Sequence, residues 1–260
     1  MLATVLNSWI FKGRETHMER PILWQIPALT SAAQSDLVDK ITVLQRRLLS
    51  ILNQHQDVRF AHSLAVEDTV VMDVLYHLQE RVSVFTLDTG RLSPESLDLL
   101  ERLQQHYADM PIQVYQPHAL QLDEYIAEHG KNAFYESVEQ RKQCCYIRKV
   151  EPLNRALQGA DAWLTGLRQS QSITRQDLPF QEYDELRHIE KYNPIFDWSE
   201  IDVWTYVQQF NLPFNQLYHQ GYPSIGCAPC TRPVKQGEDI RAGRWWWENQ
   251  DSKECGLHQS

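Results

Sequence analysis

The sequence predicts an α/β fold: a twisted, mostly parallel sheet with helices on both faces, followed by a mobile C-terminal tail. Three observations carry this expectation. Short runs rich in β-branched and aromatic residues alternate with stretches of helical period, the pattern of repeated βα units. Polar loops follow several of the apolar runs, at the strand ends where parallel sheets hold their ligands. At 260 residues and 42% hydrophobic, the chain is long enough to bury one sizeable core.

Residues 1–34 show no clear period and contain Pro21 and Pro27, so they read as an irregular arm. Leu37, Ile41, Leu44, Leu48 and Leu52 then recur at helical spacing, with Asp36 near the expected helix start. Residues 58–62 predict a first strand, running through the Ser63 loop into an apolar helix that ends near Leu78. Residues 82–87 predict a second strand, followed by Asp88-Thr-Gly90, a helix over 94–106 and a third strand over 112–115. The next helix bears Cys144 and Cys145 and continues past Lys149, with Pro152 as a point of kinking or restart. Residues 162–165 predict a fourth strand and 188–196 a fifth, separated by a polar loop from Gly166 to Asp177. Ser199 then caps a helix running to about Phe210.

The net charge of −9 argues against a general nucleic-acid surface. The first residues, MLATVLNSWIFKG, lack a basic segment before a short apolar run, and no 18-residue apolar stretch follows. Neither a signal peptide nor a membrane helix is expected, and a cytoplasmic location follows as an expectation. In that setting five cysteines read as thiols or metal ligands rather than disulfides.

Four of those cysteines form two close pairs, adjacent Cys144 and Cys145, and Cys227-Ala-Pro-Cys230. Adjacent helical residues point about 100° apart, so a doublet reaches two different irons of one cube more readily than one tetrahedral ion. A [4Fe–4S] cluster therefore fits better than zinc, with zinc and a redox dithiol remaining as alternatives. Cys255 is the thiol left over, in Glu254-Cys255-Gly256-Leu257-His258. A nearby cation would favour its thiolate, and Arg241, Arg244 and His258 are candidates; the bland reading is an inert tail thiol. Arg241 and Arg244, spaced i, i+3 ahead of three tryptophans, and Lys149, five residues after Cys144, suggest an anionic substrate near the thiols. The loop at 166–175 adds Arg168 and Arg175 with several hydroxyl and amide groups, suited to a phosphate or a nucleotide. Ser63 at a helix start is a weaker anion signal, equally explained as a cap. Reduction by thiols takes two sulfurs, so one nucleophilic Cys255 calls for a dithiol protein partner.

These segments together resemble the assimilatory adenylyl-sulfate/3'-phosphoadenylyl-sulfate reductase family. The likeness rests on Cys-Cys-Tyr-Ile-Arg-Lys-Val-Glu-Pro-Leu at 144–153, Thr-Gly-Leu-Arg-Gln-Ser-Gln-Ser at 165–172, and Gly-Cys-Ala-Pro-Cys-Thr at 226–231. Gly-Glu-Asp-Ile-Arg-Ala-Gly-Arg-Trp-Trp-Trp at 237–247 and the Glu-Cys-Gly-Leu-His tail complete it, so that about residues 40–258 are covered. The resemblance implies a fold like the adenine nucleotide alpha hydrolases, with the Ser63 loop a modified pyrophosphate loop. It divides the chain into an arm at 1–34, a nucleotide-binding reductase domain with its cluster at 35–240, and a catalytic tail at 241–260.

Both cysteine pairs, and Leu-Asp-Thr-Gly-Arg at 87–91, resemble the cluster-bearing branch that prefers adenosine 5'-phosphosulfate. The resemblance implies a [4Fe–4S] cluster on Cys144, Cys145, Cys227 and Cys230, with Cys255 as nucleophile and His258 assisting it or closing over the site. It implies that Lys149, Arg241 and Arg244 neutralise the phosphosulfate, that Arg168 and Arg175 hold the nucleotide, and that Ser63, Asp68, Asp88 and Gly166 belong to the substrate pocket. The implied electron donor is thioredoxin or a similar dithiol protein, and the oligomeric state is left open. Competing readings are a 3'-phosphoadenylyl-sulfate or dual-substrate reductase, an ATP-activating RNA-thiolation enzyme on the same fold, and a zinc-stabilised binding protein.

Overall fold

The computed structural model describes residues 21–80, 82–172 and 175–248. Its strands are β1 (Val58–Ala61), β2 (Ser83–Leu87), β3 (Ile112–Tyr115), β4 (Ala162–Leu164), β5 (Gln181–Asp184) and β6 (Ile189–Tyr192). The helices are α1 (Ser31–Gln54), α2 (Val66–His77), α3 (Pro94–His106), α4 (Ala119–His129), α5 (Val138–Cys145), α6 (Glu151–Ala156) and α7 (Glu200–Gln209). One six-stranded sheet has the order β3-β2-β1-β4-β6-β5. Neighbours are parallel except β5, which runs antiparallel to β6 at one edge.

That order explains where the helices lie. The chain steps outward from β1 to β2 to β3 through α2 and α3, then returns to place β4 on the other side of β1. Right-handed crossovers put helices from opposite steps on opposite faces. Alternate strand residues record this. Phe60, Val84 and Leu164 pack with Leu48, Val70, Leu99 and Val203, from α1, α2, α3 and α7. Phe85 and Trp163 face the other way, against Leu153 and Leu157 in and just after α6. The reversal of strand order between β1 and β4 leaves a crevice at their carboxyl ends, the ligand position expected of such sheets.

Several boundaries differ from expectation. α1 starts at Ser31, because the Thr30 hydroxyl accepts from the Ala33 N–H (3.2 Å); Asp36 lies inside the helix. The stretch read as an arm joins the core before that point. Trp24 lies 6.2 Å from Trp204 and 6.1 Å from Tyr218 between ring centres, and its N–H donates to the Val234 carbonyl (2.9 Å). α4 carries no strong sequence signal, since His118 gives no side-chain cap and Tyr125 is the one residue it buries. β5 is likewise a polar edge strand with little pattern to read. The cysteine helix does continue past Lys149. Residues Tyr146–Val150 widen into a π turn between α5 and α6, and Pro152 follows it as the second residue of α6. Among the described residues, no helix is long and apolar enough to cross a membrane.

Candidate active site

A cavity of about 210 Å³ occupies the crevice between β1 and β4. Its sheet end is built by the turn that joins β1 to α2. His62 and Ser63 leave the strand, Leu64 turns the chain with φ of 65°, and α2 begins at Val66. The Ser63 N–H and hydroxyl both donate to Asp68 Oδ2 (2.8 and 2.5 Å), and the Val66 N–H donates to the Tyr218 hydroxyl (3.1 Å). The helix start expected as an anion site is thus filled by the chain's own Asp68. Burial pushes the Asp68 carboxyl up to about 7, against the hydrogen bonds from Ser63 and the Gly166 backbone. Gly166 is required there, because a Cβ would overlap Asp68 Oδ1.

Glu67 beside it takes the opposite course. Burial disfavours its charge, but Arg168 and Gln171 outweigh burial and hold it below the usual carboxylate range. Arg168 donates to Glu67 through Nε (3.2 Å) and a terminal nitrogen (2.6 Å), and also reaches the Trp198 carbonyl (3.3 Å). Arg168 is therefore a buried brace outside the cavity lining, whereas Arg175 and Gln171 do line it, joined by a 2.7 Å hydrogen bond. Asp88 is also outside the lining. Its oxygens accept from the Gly90 N–H and the Gln116 amide, both at 2.9 Å, while its neighbours Leu87 and Thr89 face the cavity. His62 is a lining residue that sequence reasoning missed. Burial lowers its pKa to about 3, so the ring is neutral, and Nδ1 accepts from the Leu64 N–H (3.1 Å).

The far end of the cavity is cationic. Lys149, Arg241 and Arg244 line it together with Gly226 and Cys227. Arg244 is buried, donates to the Ile225 carbonyl (3.0 Å) and stands 4.9 Å above the Trp245 ring. A Cβ at Gly226 would overlap its guanidinium, so glycine is what lets that group reach the cavity.

Lys149 also walls a second, smaller cavity, lined by Cys144, Cys145, Cys227 and Cys230 with Phe134 and Trp245. The doublet ends α5 and the other pair sits on a tight turn, where the Cys230 N–H donates to the Cys227 carbonyl (2.9 Å). None of the four is joined in a disulfide. Burial works against a thiolate at Cys227, but Lys149, the Thr89 hydroxyl (3.3 Å), Arg244 and Arg148 together hold its pKa below the usual thiol value. Burial and the neighbouring Cys227 push Cys230 up to about 12. Among the described residues, no three cysteine, histidine or carboxylate groups converge as around one metal ion; the thiols surround a volume instead. Three residues that line this volume carry buried donors with no hydrogen-bond partner among the described residues: Arg91 Nε, Arg148 Nε and Trp245 Nε1. Four thiols ringed by orphaned donors and cations fit an anionic, sulfur-rich group such as a [4Fe–4S] cluster.

Of the residues expected at the site, Ser63, Asp68, Lys149, Gly166, Arg175, Arg241 and Arg244 share one cavity, and the four paired cysteines share the other. Cys255 and His258 lie outside the described residues. Arg148, Arg91 and Thr89 stand in the sequence only within motifs, with no role of their own there, and Arg141 is not singled out by any signal. Their contacts to Thr89, residues 131–132, Cys227 and Glu248 respectively lie far along the chain.

Comparison with known proteins agrees with this geometry. The phosphoadenosine phosphosulfate reductase domain model matches residues 57–233. The chain is 56% identical to the adenosine 5'-phosphosulfate reductase of Neisseria meningitidis serogroup B (strain ATCC BAA-335 / MC58), over 94% of this chain and 100% of that one. It is 50% identical to the enzyme of the same name from Burkholderia cepacia, over 89% of this chain and 92% of that one. Phosphoadenylyl-sulfate reductase from Candida auris, solved as a phosphate complex, shares the fold with a TM-score of 0.64 at 24% identity, covering 80% of this chain and all of that one. The crevice, its cationic end and these likenesses together place the chain in the phosphoadenosine phosphosulfate reductase family.

Proposed function

We propose that this protein reduces adenosine 5'-phosphosulfate to sulfite and AMP in sulfate assimilation, using thioredoxin or a similar dithiol protein as donor. The observation that carries the reading is the position of Lys149, in the wall shared by the substrate-sized crevice and the four-thiol cavity. The names of the close relatives supply the substrate class. The adenosine lies towards Ser63, Asp68 and Gly166, and the phosphosulfate lies among Lys149, Arg241 and Arg244.

The Cys255 thiolate attacks the sulfur of the phosphosulfate. The S–O bond to the phosphate breaks, AMP leaves with the electron pair, and Cys255 carries the sulfonate. One thiolate of the donor then attacks the Cys255 sulfur, expelling sulfite and forming a mixed disulfide. The donor's second thiol resolves it, so both electrons come from the dithiol. Lys149, Arg241 and Arg244 neutralise the anionic groups in a partly water-excluded pocket, Arg175 and Gln171 close its loop side, and His258 assists Cys255. Cys144, Cys145, Cys227 and Cys230 would hold a [4Fe–4S] cluster, which when bound supplies a fixed anionic body that organises the surrounding cations. A nucleophilic Cys255 thiol and thiolate ligands at the two cysteine pairs suit the reducing cytoplasm as the place of work.

Sulfite release by anaerobically purified protein with thioredoxin tests this, with adenosine 5'-phosphosulfate and its 3'-phosphorylated form supplied separately. Strong preference for the former is expected; preference for the latter would overturn the substrate assignment. Cys255→Ser is expected to keep iron and nucleotide binding and to lose turnover, whereas Cys227→Ser is expected to lose iron.

A further inference from the structure

Arg141 has no place in the chemistry above, yet it is fully buried beside it. It lies on α5, four residues before Cys145, and lines the four-thiol cavity. Its guanidinium stands 4.7 Å above the Trp245 ring. Nε and a terminal nitrogen donate to the two carboxylate oxygens of Glu248, at 2.9 and 2.8 Å. Both side chains are almost wholly shielded from water, at 0% and 4% exposure, so this is a desolvated fork rather than a surface pair.

Glu248 is the last residue described before the segment that carries Cys255, seven residues on. A chain of seven residues reaches at most about 25 Å, so the position of residue 248 bounds where the Cys255 sulfur can go. Two further bonds fix the same root. The Trp245 N–H donates to the Cys230 carbonyl (3.2 Å), and the Glu248 N–H donates to the Trp245 carbonyl (2.9 Å). Residues 245–248 are thereby tied to both cysteine pairs, through Arg141 to α5 and through Trp245 to the Cys-x-x-Cys turn.

We propose that the Arg141–Glu248 pair is a strut by which the four-thiol centre positions the root of the Cys255-bearing segment. Arg141 and Glu248 are positioning residues: they touch no substrate, and they act on the reaction only through the chain that links residue 248 to Cys255. The proposal rests on the reading of Cys255 as nucleophile.

The test uses full-length Glu248→Gln, which keeps the size of the side chain but removes its charge. Arg141→Lys is the companion that keeps the cation and loses the fork. Iron content, AMP affinity and the single-turnover rate of Cys255 sulfonation, followed by intact mass, are measured on each. The expected result is iron and AMP affinity within about twofold of the parent, with sulfonation slowed about tenfold or more, the scale of one charge-assisted hydrogen bond. Sulfonation at the parental rate in Glu248→Gln would overturn the strut, and so would loss of iron, which would make the pair a support of the centre alone. A failure of the nucleophile reading itself looks different, because the parent protein would then show no sulfonated Cys255.

Discussion

The two ends of the crevice solve opposite electrostatic problems with similarly buried groups. At the sheet end, the buried acids and the imidazole are quenched locally: Glu67 is matched by Arg168, Asp68 is pushed towards its neutral form, and His62 is held neutral. At the other end, Lys149, Arg241 and Arg244 gather beside thiols, of which Cys227 is drawn towards its anion. A ligand with a neutral purine at one end and a dense anion at the other is therefore oriented by the field of the pocket before any specific contact forms. The contrast teaches that orientation here comes as much from quenching charge where it is unwanted as from supplying it where the reaction occurs.

The contrast can be broken most strongly at Lys149. Lys149→Met is expected to lower kcat/KM by about 10²–10³-fold while AMP affinity changes far less, since the cation acts on charge developing in the transition state. Equal losses in AMP affinity and kcat/KM would show that the cation serves binding alone.

A matched pair of glycine substitutions sharpens the comparison. Gly226→Ala displaces the Arg244 guanidinium and is expected to cost about 10²-fold in kcat/KM. Gly166→Ala displaces Asp68 and is expected to weaken AMP binding by about tenfold, with turnover at saturation retained. If both variants changed the same parameter, the two ends would not be separate.

The smallest effect is one of pH. Asp68 keeps its proton up to about 7 when folded, against an ordinary value of 3.8. Between those values the folded protein binds the extra proton, so the contribution of Asp68 to stability is full below about 4, declines as pH rises to about 7, and is flat above. Asp68→Asn is expected to flatten the fall in urea midpoint between about pH 4 and 7. An unchanged slope would assign the pH dependence to other groups.

Much of this architecture is legible directly in the residues. α3 has the bounds its sequence predicts because Ser93 caps it and Pro94 opens it, and β3 because its four residues lie between turn signals. The thiol pairs stand out because few structural roles place two cysteines so close together. What escapes is whatever depends on an unlike partner far along the chain. Arg168 looks like a nucleotide arginine until Glu67, 101 residues earlier, is found to hold it. Asp88 looks like a pocket carboxylate until Gln116 and the Gly90 N–H turn it aside. Arg141 and Glu248 carry no local signal, since each is meaningful only when α5 meets the chain beyond Trp245.

The placement of the two cysteine pairs also dictates an order of assembly. The doublet closes α5, whereas Cys227 and Cys230 are added only after β4, the β5–β6 edge and α7 have been made. A nascent chain therefore presents two thiols on a half-built sheet, and their partners arrive once the second half has closed around β1. Any delay in that second half leaves the doublet uncovered during synthesis. The interval between synthesis of α5 and of the Cys227–Cys230 turn is thus the stage at which adventitious oxidation of Cys144 and Cys145 would compete with maturation.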